Sequence, residues 1–106
     1  MSYTPVKRST FYRDVERVGR YLFLRNPTAA VRFLDAVEST VELLAREPFL
    51  GHEAGFRRAI GYRSFGVRGF GNYLIFYKVR SEEIVFARLV HGARDLPRLL
   101  GGGGKQ

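Results

Sequence analysis

The C-terminal half of the sequence holds three β-rich runs separated by connectors of three and four residues, and this spacing constrains the fold most. The runs are Tyr62–Val67, Asn72–Val79 and Glu83–His91, and the connectors are Arg68–Gly71 and Arg80–Glu82. Connectors this short join antiparallel strands as hairpins, because parallel strands need a crossover of roughly a dozen residues. The middle run is apolar on both faces, which predicts a central strand with helices packed on one side.

Two amphipathic helices are predicted before these runs. Apolar residues at helical spacing predict the first helix: Phe11, Val15, Val18 and Leu22. A second set with the same periodicity predicts the second helix: Ala30, Phe33, Leu34, Val37, Val41 and Leu44. We expect Ser9 or Thr10 to cap the first helix. Asn26-Pro27 separates the two helices, since the residue before proline leaves the α region and proline suits a first turn.

The order of elements predicts the fold class. Thr4–Lys7 is β-compatible, and Pro5 favours an edge position for this strand. The order is therefore β-α-α-β-β-β, an α+β fold in which a helical hairpin packs on a small antiparallel sheet. We expect a single domain over residues 1–100 and a flexible glycine-rich tail over residues 101–106.

Composition excludes several classes of site. The chain has no cysteine, which excludes disulfides, cysteine nucleophiles and thiolate zinc sites. His52 and His91 are the only histidines, so we expect no metal and no cofactor. No apolar run is long enough to span a membrane and no apolar signal segment is visible, so we expect a cytosolic protein. The carboxylates Asp35, Glu38 and Glu42 share one helical face, which we interpret as a solvated face.

Positive charge is concentrated in one block of the sequence. The net charge is +8, and residues 54–81 contain no acidic residue. The cations of this block are Arg57, Arg58, Arg63, Arg68, Lys78 and Arg80. Such a block indicates an anionic partner, which is nucleic acid, an acidic protein segment or a phosphate-rich surface, or else a solvated face that keeps the protein soluble. Arginines alternate with aromatic residues here, which is a nucleic-acid pattern only where both groups are exposed; we place most of these aromatics in the core.

Two short segments have both a functional and a structural interpretation. The glycines of Gly66–Gly71 resemble a phosphate loop, but the segment lies between two strands and is better explained as a hairpin turn. His91 stands near Arg94 and Asp95, where it could serve as a general base. The structural alternative is a turn in which Asp95 pairs with Arg94 or caps the next helical turn.

Three segments together resemble the RelE/ParE superfamily of toxins, and its ParE branch most closely. Residues 62–77, with the sequence YRSFGVRGFGNYLIFY, resemble the central hairpin of the family. Residues 90–96, VHGARDL, resemble the C-terminal signature of the branch, and residues 26–34, NPTAAVRFL, resemble the junction of its helices. The similarity extends over about residues 5–100 and follows the order of elements derived above.

This resemblance implies the toxin of a type II toxin–antitoxin system. A ParE-like toxin inhibits DNA gyrase without a catalytic group of its own, and an acidic ParD-like antitoxin binds it in a hetero-oligomer. We therefore expect a binding protein rather than an enzyme. The basic surface for target or antitoxin would comprise Arg57, Arg58, Arg63, Arg68, Lys78, Arg80 and Arg94.

The alternative implied by the resemblance is a ribosome-dependent mRNA endoribonuclease of the RelE type. Its catalytic residues here would be Arg63, Arg88 and His91. The nuclease branch usually has a tyrosine near its C-terminus, whereas the last tyrosine of this chain is Tyr77. This difference favours the gyrase interpretation.

Overall fold

The computed structural model describes residues 2–54 and 60–104, the last six of them as backbone alone. A five-stranded sheet is built from β1 (Thr4–Lys7), β2 (His52–Glu53), β3 (Arg63–Val67), β4 (Phe70–Arg80) and β5 (Glu83–His91), in the order β1-β5-β4-β3-β2. The two predicted hairpins are confirmed, since β4 pairs antiparallel with both β3 and β5. The α+β class and the central position of the middle run are confirmed as well.

The sheet is mixed, so the expectation of a purely antiparallel sheet was wrong. β1 lies at one edge, as its proline predicted, and it pairs with β5 in parallel. A connector length fixes strand direction only within a hairpin, whereas β1 and β5 are separated in sequence by most of the chain. Thr4 pairs with Glu83 and Lys7 with Phe86 in this register.

Two helices form the predicted hairpin, α1 (Ser9–Arg25) and α2 (Pro27–Arg46). Asn26 separates them and caps α2, since its side-chain oxygen accepts a hydrogen bond from the Ala29 N–H at 3.2 Å. The predicted cap of α1 was wrong. Arg8 occupies the N-cap position without a side-chain hydrogen bond, because Thr10 instead donates its hydroxyl to the sheet.

The main core lies between this hairpin and one face of the sheet. Its largest buried members are Phe11, Phe33, Val37, Leu44, Val67, Ile75, Tyr77, Ile84, Phe86 and Leu89. Leu34 was expected in this core, but it is 42% exposed. Its Cδ2 lies 3.4 Å from the position that a Cβ on Gly19 would occupy, so Leu34 packs on α1 at the outside of the hairpin.

The opposite face of the sheet carries a smaller cluster. Phe76 and Val90 are buried there, and Tyr62, Leu74 and Leu96 pack against them. Leu96 belongs to the third helix, α3 (Gly92–Gly104), which follows β5 directly. The helix is described as far as Gly104, although residues 101–104 were expected to belong to a flexible tail; residues 105 and 106 lie outside the described residues.

Candidate functional site

Side chains of helix α1 bind the backbone edge of β5 beyond the point where β1 ends. The Thr10 hydroxyl donates to the Ala87 carbonyl at 2.7 Å, and the Leu89 N–H donates to Asp14 Oδ2 at 2.9 Å. Residues four apart lie on one helical face, so Thr10 and Asp14 satisfy successive polar groups of the strand edge. An unpaired strand edge is thereby covered by side chains instead of a sixth strand.

Asp14 also holds two arginines. Its side chain is 4% exposed, and Arg88 contacts it through Nε at 2.6 Å and Nη2 at 3.3 Å. Arg17 adds a contact from Nη2 at 2.8 Å. The hydrogen bond to Asp14 is the main cause of the raised pKa of Arg88. A buried carboxylate on α1 therefore fixes the positions of two cations, one on α1 and one on β5.

The turn between β5 and α3 is organised by Asp95. Its Oδ2 accepts the His91 N–H at 2.7 Å, and its Oδ1 pairs with Arg94 Nε at 3.2 Å, so the predicted pairing of Asp95 with Arg94 is confirmed. Burial alone would raise the pKa of Asp95, but the His91 hydrogen bond and Arg94 together hold it below its ordinary value. His91 Nδ1 accepts the Arg94 N–H at 3.2 Å.

These contacts surround a cleft at the β5 edge, between α1 and α3, with a volume of about 380 Å³. We call it the arginine-lined cleft, because four arginines and two tyrosines line it: Arg17, Arg88, Arg94, Arg98, Tyr21 and Tyr73. Asp95 is the acidic residue in the wall, and its carboxylate already accepts hydrogen bonds. The cleft therefore carries an excess of positive charge and suits an anionic group.

A tyrosine stands beside His91 in space although none follows it in sequence. The rings of Tyr73 and His91 lie edge to face with centroids 5.0 Å apart, because β4 pairs Tyr73 with His91. Burial raises the pKa of Tyr73, and the charge of Arg94 opposes that shift. The cleft thus combines a phenol and guanidinium groups, and the His91 imidazole packs behind the phenol ring of Tyr73.

The structure brings together only some of the residues that the sequence singled out. Arg88, His91 and Arg94 lie at or beside the cleft. Arg63 lies on β3, two strands away from β5 in the sheet. Its Nη1 donates to the Gly51 carbonyl at 2.5 Å, and its guanidinium stacks 5.0 Å from the Phe49 ring centroid.

The remaining predicted cations are dispersed. Arg68 is exposed at the turn before β4, and Arg80 is exposed at the other end of that strand. Lys78 lies with its Nζ 5.0 Å from the Tyr62 ring centroid. Arg57 and Arg58 lie outside the described residues. The hairpin interpretation of residues 66–71 is confirmed, and Gly69 at φ 81° provides its left-handed position.

Sequence reasoning missed Arg17, Arg98, Tyr21 and Tyr73. Arg17 and Arg98 each follow an aspartate by three residues on a helix, which is a detectable signal, but such pairs are common on solvated helices. The positions of the tyrosines depend on strand register and helix packing, which the sequence does not specify locally.

A second feature of the surface is an apolar patch at the tip of the helical hairpin. Phe23 is 57% exposed, Leu24 77%, Val31 58% and Leu34 42%. These four residues, here called the hairpin-tip patch, lie at the end of α1 and in the first half of α2. Exposed apolar clusters of this kind mark protein-binding sites.

Neither a metal cluster nor a membrane span is found in residues 2–54 and 60–104. Their His, Asp and Glu side chains form no group of three or more that could hold a metal ion. None of the helices in the same ranges combines the length and the apolar character needed to cross a bilayer.

Comparisons with known proteins agree on one superfamily. The model of the family described as "ParE toxin of type II toxin-antitoxin system, parDE" matches residues 8–96. Toxin RelE3 of Caulobacter vibrioides is 35% identical over 79 residues, which cover 74% of this chain and 83% of that protein.

Solved structures share the fold at low sequence identity. The chromosomal ParDE toxin–antitoxin system from P. aeruginosa matches with a TM-score of 0.72 and 13% identity, covering 85% of this chain and 96% of that one. The RelBE2 toxin–antitoxin complex from Mycobacterium tuberculosis matches with a TM-score of 0.61 and 22% identity, covering 86% and 92%.

Proposed function

Because this chain belongs to the ParE family of toxins from type II toxin–antitoxin systems, we propose that it inhibits DNA gyrase and is neutralised by an acidic ParD-like antitoxin. One observation carries the choice of gyrase over RNA cleavage. Arg63 is held on the Gly51 carbonyl, two strands from Arg88 and His91, so the expected nuclease residues do not form one site. An inhibitor that acts by binding needs no such set.

The antitoxin proposal rests on charge and on the hairpin-tip patch. A net charge of +8 attracts an acidic partner over long range. An amphipathic acidic segment can place apolar side chains on Phe23, Leu24, Val31 and Leu34 while its carboxylates meet neighbouring arginines. Two of the structures with this fold come from toxin–antitoxin systems, which supports such a partner.

Endoribonuclease activity is a second candidate function, and the position of Tyr73 beside His91 supports it. The nuclease branch usually has a tyrosine near its C-terminus, and here β4 supplies one beside His91 from another part of the chain. Arg88 stands in the same cleft, where guanidinium groups can stabilise charge that develops on a phosphate. The similarity to a toxin named RelE3 also favours this candidate.

The two candidates are separated by testing one set of proteins in two assays. Wild type, Arg88→Ala, Tyr73→Phe and the control Arg46→Ala are assayed for gyrase-dependent DNA cleavage and for ribosome-dependent mRNA cleavage. Arg46 is exposed at the end of α2 and lies outside the cleft. We expect the wild type to trap gyrase–DNA complexes and to leave mRNA intact. Arg88→Ala should weaken gyrase inhibition by roughly 1–3 kcal/mol, the range for a partly buried ionic contact.

A nuclease would give a different result. Loss of Arg88 would then lower the mRNA cleavage rate about a hundredfold or more with little change in ribosome binding, because the guanidinium would act in the transition state. Robust mRNA cleavage by the wild type, abolished in Arg88→Ala and without any effect on gyrase, would refute the gyrase proposal.

The antitoxin proposal has its own measurement. The association rate with a cognate acidic antitoxin should fall steeply as salt is added, since exposed charges are screened over about 10 Å at 0.1 M ionic strength. A rate that does not change between low and high salt would contradict electrostatic attraction.

The cytoplasmic location stays a prediction.

A further inference from the structure

We propose that the loop after α2, residues 48–51, is a second contact surface for the target protein, the gyrase of the proposed function. This inference rests on the proposed function and deepens it, because it adds an apolar anchor outside the arginine-lined cleft. The loop, here called the Phe49 loop, connects the end of α2 to β2. The partner surface that it fits is an apolar pocket with a carboxylate at its rim.

Two neighbouring apolar side chains of the Phe49 loop face solvent. Phe49 is 60% exposed and Leu50 is 44% exposed. A phenyl ring buries a large apolar area when a partner covers it, and aromatic residues are enriched in protein interfaces. The fold leaves Phe49 mostly uncovered, so the pair offers an apolar anchor to another protein.

Side chains of the sheet hold the Phe49 loop in place. The Tyr77 hydroxyl donates to the Pro48 carbonyl at 2.7 Å and accepts the Gly51 N–H at 2.9 Å. Arg63 Nη1 donates to the Gly51 carbonyl. A Cβ on Gly51 would lie 2.5 Å from the Tyr77 hydroxyl, so the loop lies directly against β4. A loop that is ordered before binding has a smaller entropic cost on association, which favours a role in recognition.

Arg63 places a cation beside the exposed ring. Its guanidinium carbon lies 5.0 Å from the Phe49 ring centroid. Glu53 lies opposite Arg63 in the pairing of β2 with β3, yet within residues 2–54 and 60–104 the guanidinium forms no ion pair. Its remaining N–H donors can therefore meet a carboxylate of a partner. An aromatic ring with an adjacent arginine is the composition typical of interface hot spots.

Charge and position decide between the possible occupants. Two copies of this chain would each bring a net charge of +8 and would repel each other, so an acidic partner is favoured over a second copy. Helix α2 has 20 residues and is therefore about 30 Å long. The hairpin-tip patch includes residues of its first half, whereas the Phe49 loop follows its last residue. The antitoxin is assigned to the first surface, which leaves the Phe49 loop to the target.

The test compares gyrase and antitoxin on the same full-length proteins. Apparent gyrase affinity is the concentration that gives half-maximal DNA cleavage by purified gyrase holoenzyme, and affinity for the cognate antitoxin is measured by biolayer interferometry. The variants are Phe49→Ala, Leu50→Ala and Arg63→Gln. Tyr12→Ala is the matched control, because Tyr12 is 59% exposed on α1 and has Lys7 Nζ 5.9 Å from its ring centroid. Circular dichroism checks folding, and light scattering measures the oligomeric state.

We expect the substitutions in and beside the loop to act on gyrase alone. Phe49→Ala should weaken apparent gyrase affinity ~30-fold or more, as for an aromatic hot spot. Leu50→Ala should weaken it ~5- to 30-fold through lost apolar contact. Arg63→Gln should weaken it about tenfold, since its amide can still donate to the Gly51 carbonyl but carries no charge. Tyr12→Ala should match the wild type, and antitoxin affinity should stay within about twofold in every variant.

Four results would overturn the inference. A loss of antitoxin affinity in Phe49→Ala as large as the loss of gyrase affinity would place the loop in the antitoxin interface. A wild-type dimer that Phe49→Ala dissociates would show that a second copy covers the loop. Wild-type gyrase affinity in both Phe49→Ala and Leu50→Ala would refute this inference and leave the gyrase proposal standing. Absence of gyrase-dependent cleavage with the folded wild type would refute both.

Discussion

Replacement of Asp14 by alanine should destabilise the fold and release the two arginines that this residue holds. The carboxylate is 4% exposed and accepts hydrogen bonds from the Leu89 N–H, Arg88 and Arg17. Loss of the acceptor leaves the buried Leu89 N–H unpaired, at a cost of about 1–3 kcal/mol. Arg88 and Arg17 are 45% and 62% exposed, so each of these ion pairs adds only about 0–1 kcal/mol. We therefore expect Asp14→Ala to lower the free energy of unfolding by roughly 1–5 kcal/mol.

Asp14→Asn separates the two contributions. The amide oxygen can still accept the Leu89 N–H, so this variant should lose only the ionic part, roughly 1 kcal/mol. Asp35→Ala is the matched control, because Asp35 is an exposed carboxylate on α2 and surface substitutions change stability by about 0.5 kcal/mol or less. Urea unfolding followed by circular dichroism measures all three variants. If the free energies of unfolding of Asp14→Ala and Asp14→Asn were both within about 0.5 kcal/mol of the wild-type value, this account of the β5 edge would be refuted.

Three further predictions concern the buried hydroxyl of Tyr77, which donates to the Pro48 carbonyl at 2.7 Å and accepts the Gly51 N–H at 2.9 Å. Tyr77→Phe should lower stability by about 1–3 kcal/mol in thermal unfolding. Burial raises the folded pKa of Tyr77, so its contribution is fully present below the ordinary pKa of 10.0 and is lost as the pH rises through the folded value. Stability above pH 10 should therefore fall more steeply in wild type than in Tyr77→Phe, and equal slopes would contradict this assignment. Gly51→Ala should cost about 1–3 kcal/mol, because a Cβ there would lie 2.5 Å from the Tyr77 hydroxyl, whereas the control Gly71→Ala, with open space, should have little effect.

The parts of the fold that the sequence predicts are those set by local spacing. Connector length specified both hairpins of β3, β4 and β5, and Asn26-Pro27 specified the break between α1 and α2. The parallel pairing of β1 has no local signal, since its partner lies at the other end of the chain. Leu34 fits the apolar stripe of α2 but packs against Gly19 on α1. Helical periodicity identifies the apolar face of a helix, but it does not specify which neighbouring element each residue of that face contacts.

The position of Arg88 in the candidate site depends on a register shift between β4 and β5, which the alternation of side chains in the sequence does not reveal. Simple alternation along β5 would place Phe86, Arg88 and Val90 on one face. The register shifts between Phe76 and Tyr77, so Phe86 faces Tyr77 toward the helices while Arg88 lies opposite Phe76. An irregularity of this kind redirects side chains. Arg88 thereby reaches the β5 edge and Asp14 instead of the main core.

Asp14 occupies a position where an apolar residue would be expected. The buried positions of α1 include Phe11, Asp14 and Val18, which form one helical stripe against the sheet. A buried carboxylate is costly unless its hydrogen bonds are satisfied, and here the backbone of β5 and two arginines satisfy it. An apolar residue at this position would leave the strand edge unpaired and would release Arg88 and Arg17. The carboxylate therefore joins two tasks: it completes the edge of the sheet, and it holds the cations of the cleft in place.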